Sequence, residues 1–397
     1  EGIAQLDATT QSNEMAQAIA AVGRSYHYEG QIRQAIDHFE RALEIAEPED
    51  DAATLTLIYT FLSGAHQHLL EFGPSMEWAR KLIELGQRKG HPEAMRLGYE
   101  YRAENSFAMG RWADALEFAA EDQRIGEELG FLGGSGWAHF CLATSYYGLG
   151  LLPAAQEAAR KSLEAAELTG DLRLAVLAGA RLAIIEGDRG QVEEAREQAR
   201  QSADRGEEIR HTFLLCAGRE ALAHNQLLRR EPEAALVYLG PCTSLPPPVE
   251  YHLTALIVGP RHAEAALLAR QPKLATEVIN RTLHLAVKAD SAYYIARLQN
   301  LRAQALAMQG DWAQAEQEYE QAIRQLDAQD SRLELGRALL SFGRAQADHH
   351  QQEDARASLK RALQVLEECD AQYWVGQASE TLRGLDDGVP ASPGSIP

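Results

Sequence analysis

A 40-residue repeat constrains this chain more than any other feature of its sequence. Glycines recur in one phase of that period, and each is followed five residues later by an alanine: Gly30, Gly110, Gly150, Gly190 and Gly310. Where the phase holds another residue, the alanine remains, as Ala235, Ala275 and Ala355. A 40-residue unit cannot bury its own apolar face, so the copies must stack on one another.

The best-formed unit, residues 15–46, shows what each copy contains. Apolar residues follow helical spacing before Gly30 and again after it, which predicts two short amphipathic helices packed face to face. Three small residues allow the two backbones to approach, and two rings fill the remaining space. These positions are Gly23, Ala35 and Ala42, with Tyr26 and Phe39.

The pattern resembles the tetratricopeptide repeat, whose signature positions are matched by Gly23, Tyr26, Gly30, Ala35, Phe39 and Ala42. The resemblance covers about residues 15 to 385 and implies an all-α fold, a right-handed α-solenoid of about nine helix-turn-helix repeats. The period exceeds the usual length of about 34 residues, so we expect longer helices. The second unit has its glycine three residues late, at Gly73, and is predicted to be the least regular.

A proline-rich stretch interrupts the repeats. Prolines disfavour helix, so residues 240–248 are predicted to be non-helical, and Pro260 is predicted to kink or delay the next helix. The stretch is interpreted as a loop on the outside of the superhelix or, alternatively, as a hinge. The predicted division is 1–240 for repeats one to six, 241–248 for the interruption, 249–385 for repeats seven to nine, and 386–397 for a flexible tail.

Charge and composition narrow the class of partner. The formal net charge of −20 repels phosphate backbones and anionic lipids, so neither nucleic acid nor membrane is expected as the main partner. No apolar run approaches the ~20 residues of a membrane span. Four scattered cysteines without CxxC spacing suggest neither a disulfide framework nor a zinc site. A cytoplasmic protein that binds a protein or peptide is the expectation.

No catalytic motif is visible. Walker-type loops, GxGxxG, GxSxG and HExxH are all missing, so we expect no enzyme, no catalytic residue and no cofactor. The histidine pairs His66 and His68, and His349 and His350, have spacings at which helical side chains point apart. They are interpreted as surface or turn residues, and no metal site is predicted.

In tetratricopeptide arrays the first helix of each pair lines a concave groove, so the resemblance implies candidate binding residues. Aromatic residues collect in the third and fourth units, where a peptide or small-molecule effector could gain contact area. Packing between repeats is the alternative for these rings, and a solvated face is the alternative for the polar row in the eighth unit. The candidates are Arg24, His27, Tyr28, Glu104, Phe107, Trp137, Phe140, Tyr147, Arg297, Asn300 and Gln304.

The last repeat, residues 333–383, looks like the closing repeat of large bacterial ATP-binding regulators. In LuxR-type members a DNA-binding helix-turn-helix follows directly, whereas a Pro, Gly and Ser tail follows here, which favours multidomain adenylate cyclases or kinases that end after the repeats. The resemblance implies a non-catalytic sensor or partner-docking arm of a bacterial signal-transduction ATPase. We therefore expect a piece of a longer polypeptide. The alternative is a free-standing repeat scaffold that assembles protein complexes.

Overall fold

The computed structural model of the protein describes residues 13–386, and this part of the chain forms nineteen α-helices. The helices are α1 (Asn13–Tyr28), α2 (Ile32–Glu49), α3 (Ala52–His68), α4 (Phe72–Lys89), α5 (Pro92–Met109), α6 (Trp112–Glu128), α7 (Leu132–Gly148), α8 (Leu152–Thr169), α9 (Leu172–Asp188), α10 (Val192–Ile209), α11 (Thr212–Leu228), α12 (Pro232–Thr243), α13 (His252–Leu268), α14 (Pro272–Lys288), α15 (Ala292–Gln309), α16 (Trp312–Ala328), α17 (Arg332–Asp348), α18 (Gln352–Glu368) and α19 (Gln372–Asp386). Apart from Asp386, which ends α19, the predicted tail lies outside the described residues.

The repeat period is realised as an even spacing of helices. From α3 to α19 each helix begins twenty residues after the one before, which confirms the all-α solenoid of paired helices. The second unit obeys the same spacing, contrary to the prediction. Its turn residue is Leu70, with φ of 62°, and Gly73 lies inside α4.

The odd-numbered helices form the inner layer and the even-numbered helices the outer one. Most residues of α13 are buried on all sides, whereas α10 buries a single stripe, as expected for a helix with one solvated face. Within a pair the packing is as close as the small residues predicted. A Cβ on Gly23 would lie 2.8 Å from Cε1 of Phe39, so only glycine fits against that ring.

Successive turns of the superhelix touch each other. Helix α3 contacts α13, α5 contacts α15, α7 contacts α17, and α9 contacts α19. The chain therefore returns to its own earlier repeats after every ten helices. An open repeat array lacks such contacts, because each repeat there meets only its neighbours.

Hydrogen bonds between turns end on the last carbonyl groups of odd-numbered helices, which lack intrahelical amide partners. Donors from the following superhelical turn reach them. The pairs are Tyr251 Oη to the His27 carbonyl (2.6 Å), Lys288 Nζ to Leu69 (2.8 Å), Ser291 Oγ to Ala108 (2.8 Å) and Tyr373 Oη to Leu228 (2.9 Å). The carbonyl groups at these helix ends therefore also join successive turns of the superhelix.

The turn glycines are explained by this close approach rather than by backbone conformation alone. A Cβ on Gly110 would lie 2.6 Å from Cβ of Tyr293, and one on Gly150 would lie 2.6 Å from Sγ of Cys369. Equivalent turns hold leucine, arginine or histidine at similar positive φ, so the turn itself tolerates a side chain. At Gly310 the same conformation meets nothing within 4 Å.

The proline-rich interruption differs from its prediction. Helix α12 continues through Pro241 to Thr243, so residues 240–243 are helical, although the helix does stop early. Helix α13 begins on schedule at His252 and continues across Pro260. It packs tightly on α14 there, since a Cβ on Gly259 would meet Thr282 at 2.2 Å. This packing holds the helix where the missing proline amide weakens it.

The residues after α12 bind the first repeat instead of forming an external loop or a hinge. The Glu250 amide donates to the Gly30 carbonyl (2.8 Å), and the Arg33 amide donates to the Glu250 carboxylate (2.9 Å). Leu245 and Val249 pack on the apolar core of the first repeats. The interruption therefore fixes one superhelical turn to the next, while the division into domains stays a prediction.

Replacing Gly110 by alanine should destabilise the protein more than replacing Gly310. Both variants carry a left-handed backbone penalty of about 1–2 kcal/mol, because φ is 81° and 86° at the two positions. Gly110→Ala adds the clash with Tyr293, which we expect to cost a further ~1–3 kcal/mol. Urea unfolding of the two variants measures the difference. Equal losses would show that contact between turns contributes nothing.

Candidate functional site

The first superhelical turn encloses a cavity of about 130 Å³. Seven odd-numbered helices, α1 to α13, contribute its walls, so no single repeat could form it. Two of the lining residues, Tyr28 and Arg173, are exposed, and the cavity reaches the surface beside them. For comparison, an engineered cavity of about 150 Å³ holds benzene, so this space admits one small organic group.

Three rings form the aromatic wall. Trp137 and Phe140 meet edge to face at 6.1 Å, and Phe107 meets Phe140 at 6.4 Å. The Trp137 indole donates to the Asp171 carboxylate at 3.0 Å, which fixes its orientation. These rings pack between repeats and line the cavity, so packing and exposure to a ligand are compatible here.

Carboxylates form the second wall, on α5. Glu100 and Glu104 lie one helical turn apart, and both line the cavity. The guanidinium of Arg96 pairs with Glu100 at 2.7 Å, with Asp122 at 3.1 Å and with Glu93 at 3.1 Å. One buried cation therefore serves three carboxylates, and Glu104 receives no ion pair from it.

This crowding changes the ionisation of the carboxylates. Burial, reinforced by the negative charge of Glu100, raises the pKa of Glu104 to about 7. The Gln67 amide donates to Glu104 at 3.0 Å and opposes that rise. Burial also raises the pKa of Glu100 and of Asp122, despite the attraction of Arg96. Glu104 accordingly exchanges its proton near neutral pH.

Histidines from three helices gather around Tyr251. The rings of His27 and His68 are 5.3 Å apart, His68 lies 4.7 Å from the Tyr251 ring, and Tyr251 Oη lies 3.2 Å from His211 Nε2. His27 and His68 are each only 8% exposed. Neither ring nitrogen of His27, nor Nδ1 of His68, has a hydrogen-bond partner among the described residues. Burial lowers the pKa of His27 to about 3 and of His211 to about 4, so the rings are neutral at pH 7.

The polar row of the eighth unit lies deeper along the superhelix, beside a space of only about 30 Å³. Arg297 contacts Glu334 at 3.2 Å, and Arg337 bridges Glu334 (3.0 Å) and Glu264 (2.6 Å). The charges are paired and largely buried, which differs from the solvated face considered as the alternative. The other two members of the predicted row, Asn300 and Gln304, line the same space.

Tyr147 does not line the cavity. Its side chain binds a buried carboxylate instead. Its hydroxyl donates to Asp188 at 2.8 Å, the Trp374 indole donates to the same carboxylate at 2.8 Å, and His224 Nε2 lies 3.2 Å away. Burial opposes ionisation of Asp188, but His224 and nearby arginines hold its pKa below the usual range. Arg24, in contrast, is exposed and faces the Phe61 ring outside the cavity.

Six of the eleven predicted residues therefore line the cavity: His27, Tyr28, Glu104, Phe107, Trp137 and Phe140. The sequence prediction missed Arg173, Arg181, His211 and Phe213, and the interpretation of His68 as a surface or turn residue is wrong. The missed residues belong to the fifth and sixth units. The tetratricopeptide groove positions thirteen, ten and six residues before Gly190 are Leu177, Ala180 and Ile184, and all three line the cavity, whereas Gly187, three residues before it, does not.

Two further properties concern the described residues as a whole. Across residues 13–386 no three His, Cys, Asp or Glu side chains are arranged to hold a metal ion. Within the same range, no helix combines the length and the apolar character that crossing a membrane requires.

Solved structures share this architecture. A Rap protein complexed with Competence and Sporulation Factor is 12% identical, with a TM-score of 0.58 over 95% of this chain and 99% of that one. Aspartyl phosphate phosphatase F from Bacillus subtilis is 13% identical, with a TM-score of 0.53 over 91% and 96%. The apo quorum sensor NprR from B. thuringiensis is 14% identical, with a TM-score of 0.50 over 89% and 99%. The fold is a tetratricopeptide-like solenoid. No protein-family model and no curated protein matches the sequence.

Replacing His27 by phenylalanine should flatten the dependence of stability on pH. The folded pKa of about 3 is below the unfolded value of 6.5, so the unfolded chain binds the proton first, and stability falls as the pH is lowered from 6.5 towards 3. His27→Phe should remove about 1.4 kcal/mol per pH unit of that loss. Urea unfolding between pH 4 and 7 measures the slope, with His284→Phe, at an exposed position, as the control. Parallel slopes for wild type and His27→Phe would contradict the burial of a neutral imidazole.

Proposed function

We propose that this chain is a non-catalytic binding arm of a bacterial signal-transduction ATPase, and that its interior cavity binds a peptide segment or a small-molecule effector. The observation that carries the proposal is the cavity itself. Its wall combines aromatic rings, carboxylates and buried imidazoles without partners. Buried polar groups are normally paired, so unpaired ones that face a cavity favour a ligand over simple packing.

Two comparisons support a signalling role. NprR is named as a quorum sensor, and the Rap protein was crystallised with Competence and Sporulation Factor. The assignment to an ATPase rests on the closing repeat, residues 333–383, which resembles that of bacterial ATP-binding regulators. A free-standing scaffold stays the alternative. Mass spectrometry of the intact native polypeptide separates the two, because a P-loop in the same chain would exclude the scaffold.

The cavity is suited to alter the superhelix, because cavity and closure share residues. His27 presents its ring to the cavity, while its carbonyl accepts the hydrogen bond from Tyr251 in the next superhelical turn. Tyr251 also contacts His211, which lines the cavity as well. A ligand that prefers one separation of the turns would shift the superhelix towards that form, by the difference of its affinities for the two forms.

Filling the cavity should abolish ligand binding without unfolding the chain. Ala217 lines the cavity and is only half-buried, so an indole at that position would occupy the free volume. We expect wild-type protein to retain members of a synthetic pentapeptide library or a set of small metabolites, and Ala217→Trp to retain at least tenfold less. Affinity selection with mass spectrometry measures the retention.

The matched control is Ala313→Trp, which adds the same ring at an exposed position on α16. It should bind like the wild type. Equal retention by wild type and Ala217→Trp would place binding on the outer surface and would favour the scaffold.

A further inference from the structure

We propose that the cavity recognises a protonated amine attached to a small apolar body, with the amine held by Glu104 and Glu100 on α5. The inference rests on the proposed function of the cavity as a ligand site, and it specifies the chemistry of the ligand. A free arylalkylamine and the amino terminus of a peptide share this chemistry.

The α5 wall carries more negative charge than the protein compensates. Three carboxylates, those of Glu93, Glu100 and Asp122, pair with Arg96, whereas Glu104 does not. The exposed Arg173 is the second cation that acts on Glu100 and Glu104. Among the described residues it forms no ion pair, and its guanidinium lies 5.7 Å from the Trp137 ring. Glu220 and Arg181 also line the cavity, so at full ionisation the carboxylates exceed the guanidinium groups by two formal charges, which a cation from outside can offset.

An organic cation suits this wall better than a metal ion. A divalent ion needs several converging oxygen ligands, and the described residues offer no such group of three. A primary ammonium group needs only acceptors for its three N–H donors, which two carboxylates supply. Phe107, Trp137 and Phe140 line the same space, and aromatic rings attract organic cations through their negative faces.

The unpartnered imidazoles point to a ligand independently of the acids. His27 and His68 are more than nine-tenths buried, line the same cavity, and leave three ring nitrogens without a partner. Because burial lowers the pKa of both rings, they are neutral and do not repel an ammonium group. Unpaired buried polar groups in residues that line the cavity are the second feature that favours a ligand there.

Volume limits the size of the ligand body. A space of about 130 Å³ is slightly smaller than the engineered cavity of about 150 Å³ that binds benzene. One phenyl-sized group with its amine fills it. A peptide would therefore enter with its first residue only, and the rest would leave past Tyr28 and Arg173, the two exposed lining residues.

Protons compete with the amine for Glu104. The groups that act on this carboxyl are Glu100 and Tyr101 on α5, Gln67 on α3, Cys141 on α7 and Arg173 on α9. In the empty cavity the pKa of Glu104 is about 7, and the amine binds the ionised form. Affinity should therefore rise about tenfold from pH 6 to pH 8, where an alkylamine stays protonated.

The experiment is isothermal titration of the full chain with 2-phenylethylamine, at pH 6, 7 and 8. The anion 3-phenylpropionate, which carries the same phenylethyl group on a larger carboxylate, tests charge. A pentapeptide with amino-terminal phenylalanine, with and without N-acetylation, tests the peptide source. Glu104→Gln should weaken amine binding at least tenfold and remove its pH dependence. Glu40→Gln, on the exposed face of α2, should match the wild type.

The outcomes separate the two proposals. Binding of 3-phenylpropionate as tight as that of the amine, or a pH-independent affinity in the wild type, would overturn the inference whatever the variants do. If acetylated peptides bind and Ala217→Trp abolishes their binding while amines do not bind, the cavity is a ligand site of other chemistry and only the proposed function survives. If neither these probes nor the pentapeptide library and metabolites bind, both proposals fail.

Discussion

Contact between successive superhelical turns is the constraint on which the rest of the structure depends. A repeat array without it would expose its concave face to water along the whole length. Here the later repeats cover the earlier ones, with Tyr251 and Ser291 bound to the ends of α1 and α5. The concave face thereby becomes an interior surface. Burying its polar residues is costly unless they form hydrogen bonds or ion pairs within the protein or with a ligand.

The local part of the fold could be predicted because it has a period. Twenty-residue spacing, small residues at Gly23 and Ala35, and the paired helices all follow from sequence neighbours. The closure could not be predicted, because it joins residues between 145 and 224 positions apart, such as Tyr373 with Leu228 and Tyr251 with His27. Each repeat is rotated slightly against the one before, and the sum of these rotations brings successive turns into contact. No local sequence pattern indicates that sum. Gly110 and Gly150 were therefore interpreted as turn signals alone, although Leu70 shows that the turn does not require glycine.

The same distinction between local and long-range contacts explains which residues of the cavity could be predicted. The groove positions predicted Glu104, Phe107 and Trp137 because they depend only on which helix face is concave. They did not predict that residues of the fifth to seventh units would face those of the first to fourth across one enclosed space. Arg297 stays a predicted binding residue, but it lies beside a smaller space, where Glu334 forms ion pairs with both Arg297 and Arg337. Arg297 and Glu334 are thus ion-paired with each other, whereas the His27 ring nitrogens have no partner among the described residues.

Closure also limits how such a chain can evolve. Open solenoids gain and lose units by duplication and deletion, since each new copy needs only to fit its immediate neighbours. In this chain the loss of one unit would shift by two helices every pair of contacting helices that lies on opposite sides of the deletion. A unit lost between α1 and α13 would separate Tyr251 from the end of α1, and one lost between α6 and α17 would separate Trp112 from Ser331. Repeat number is therefore fixed as strictly here as strand number is in a closed barrel.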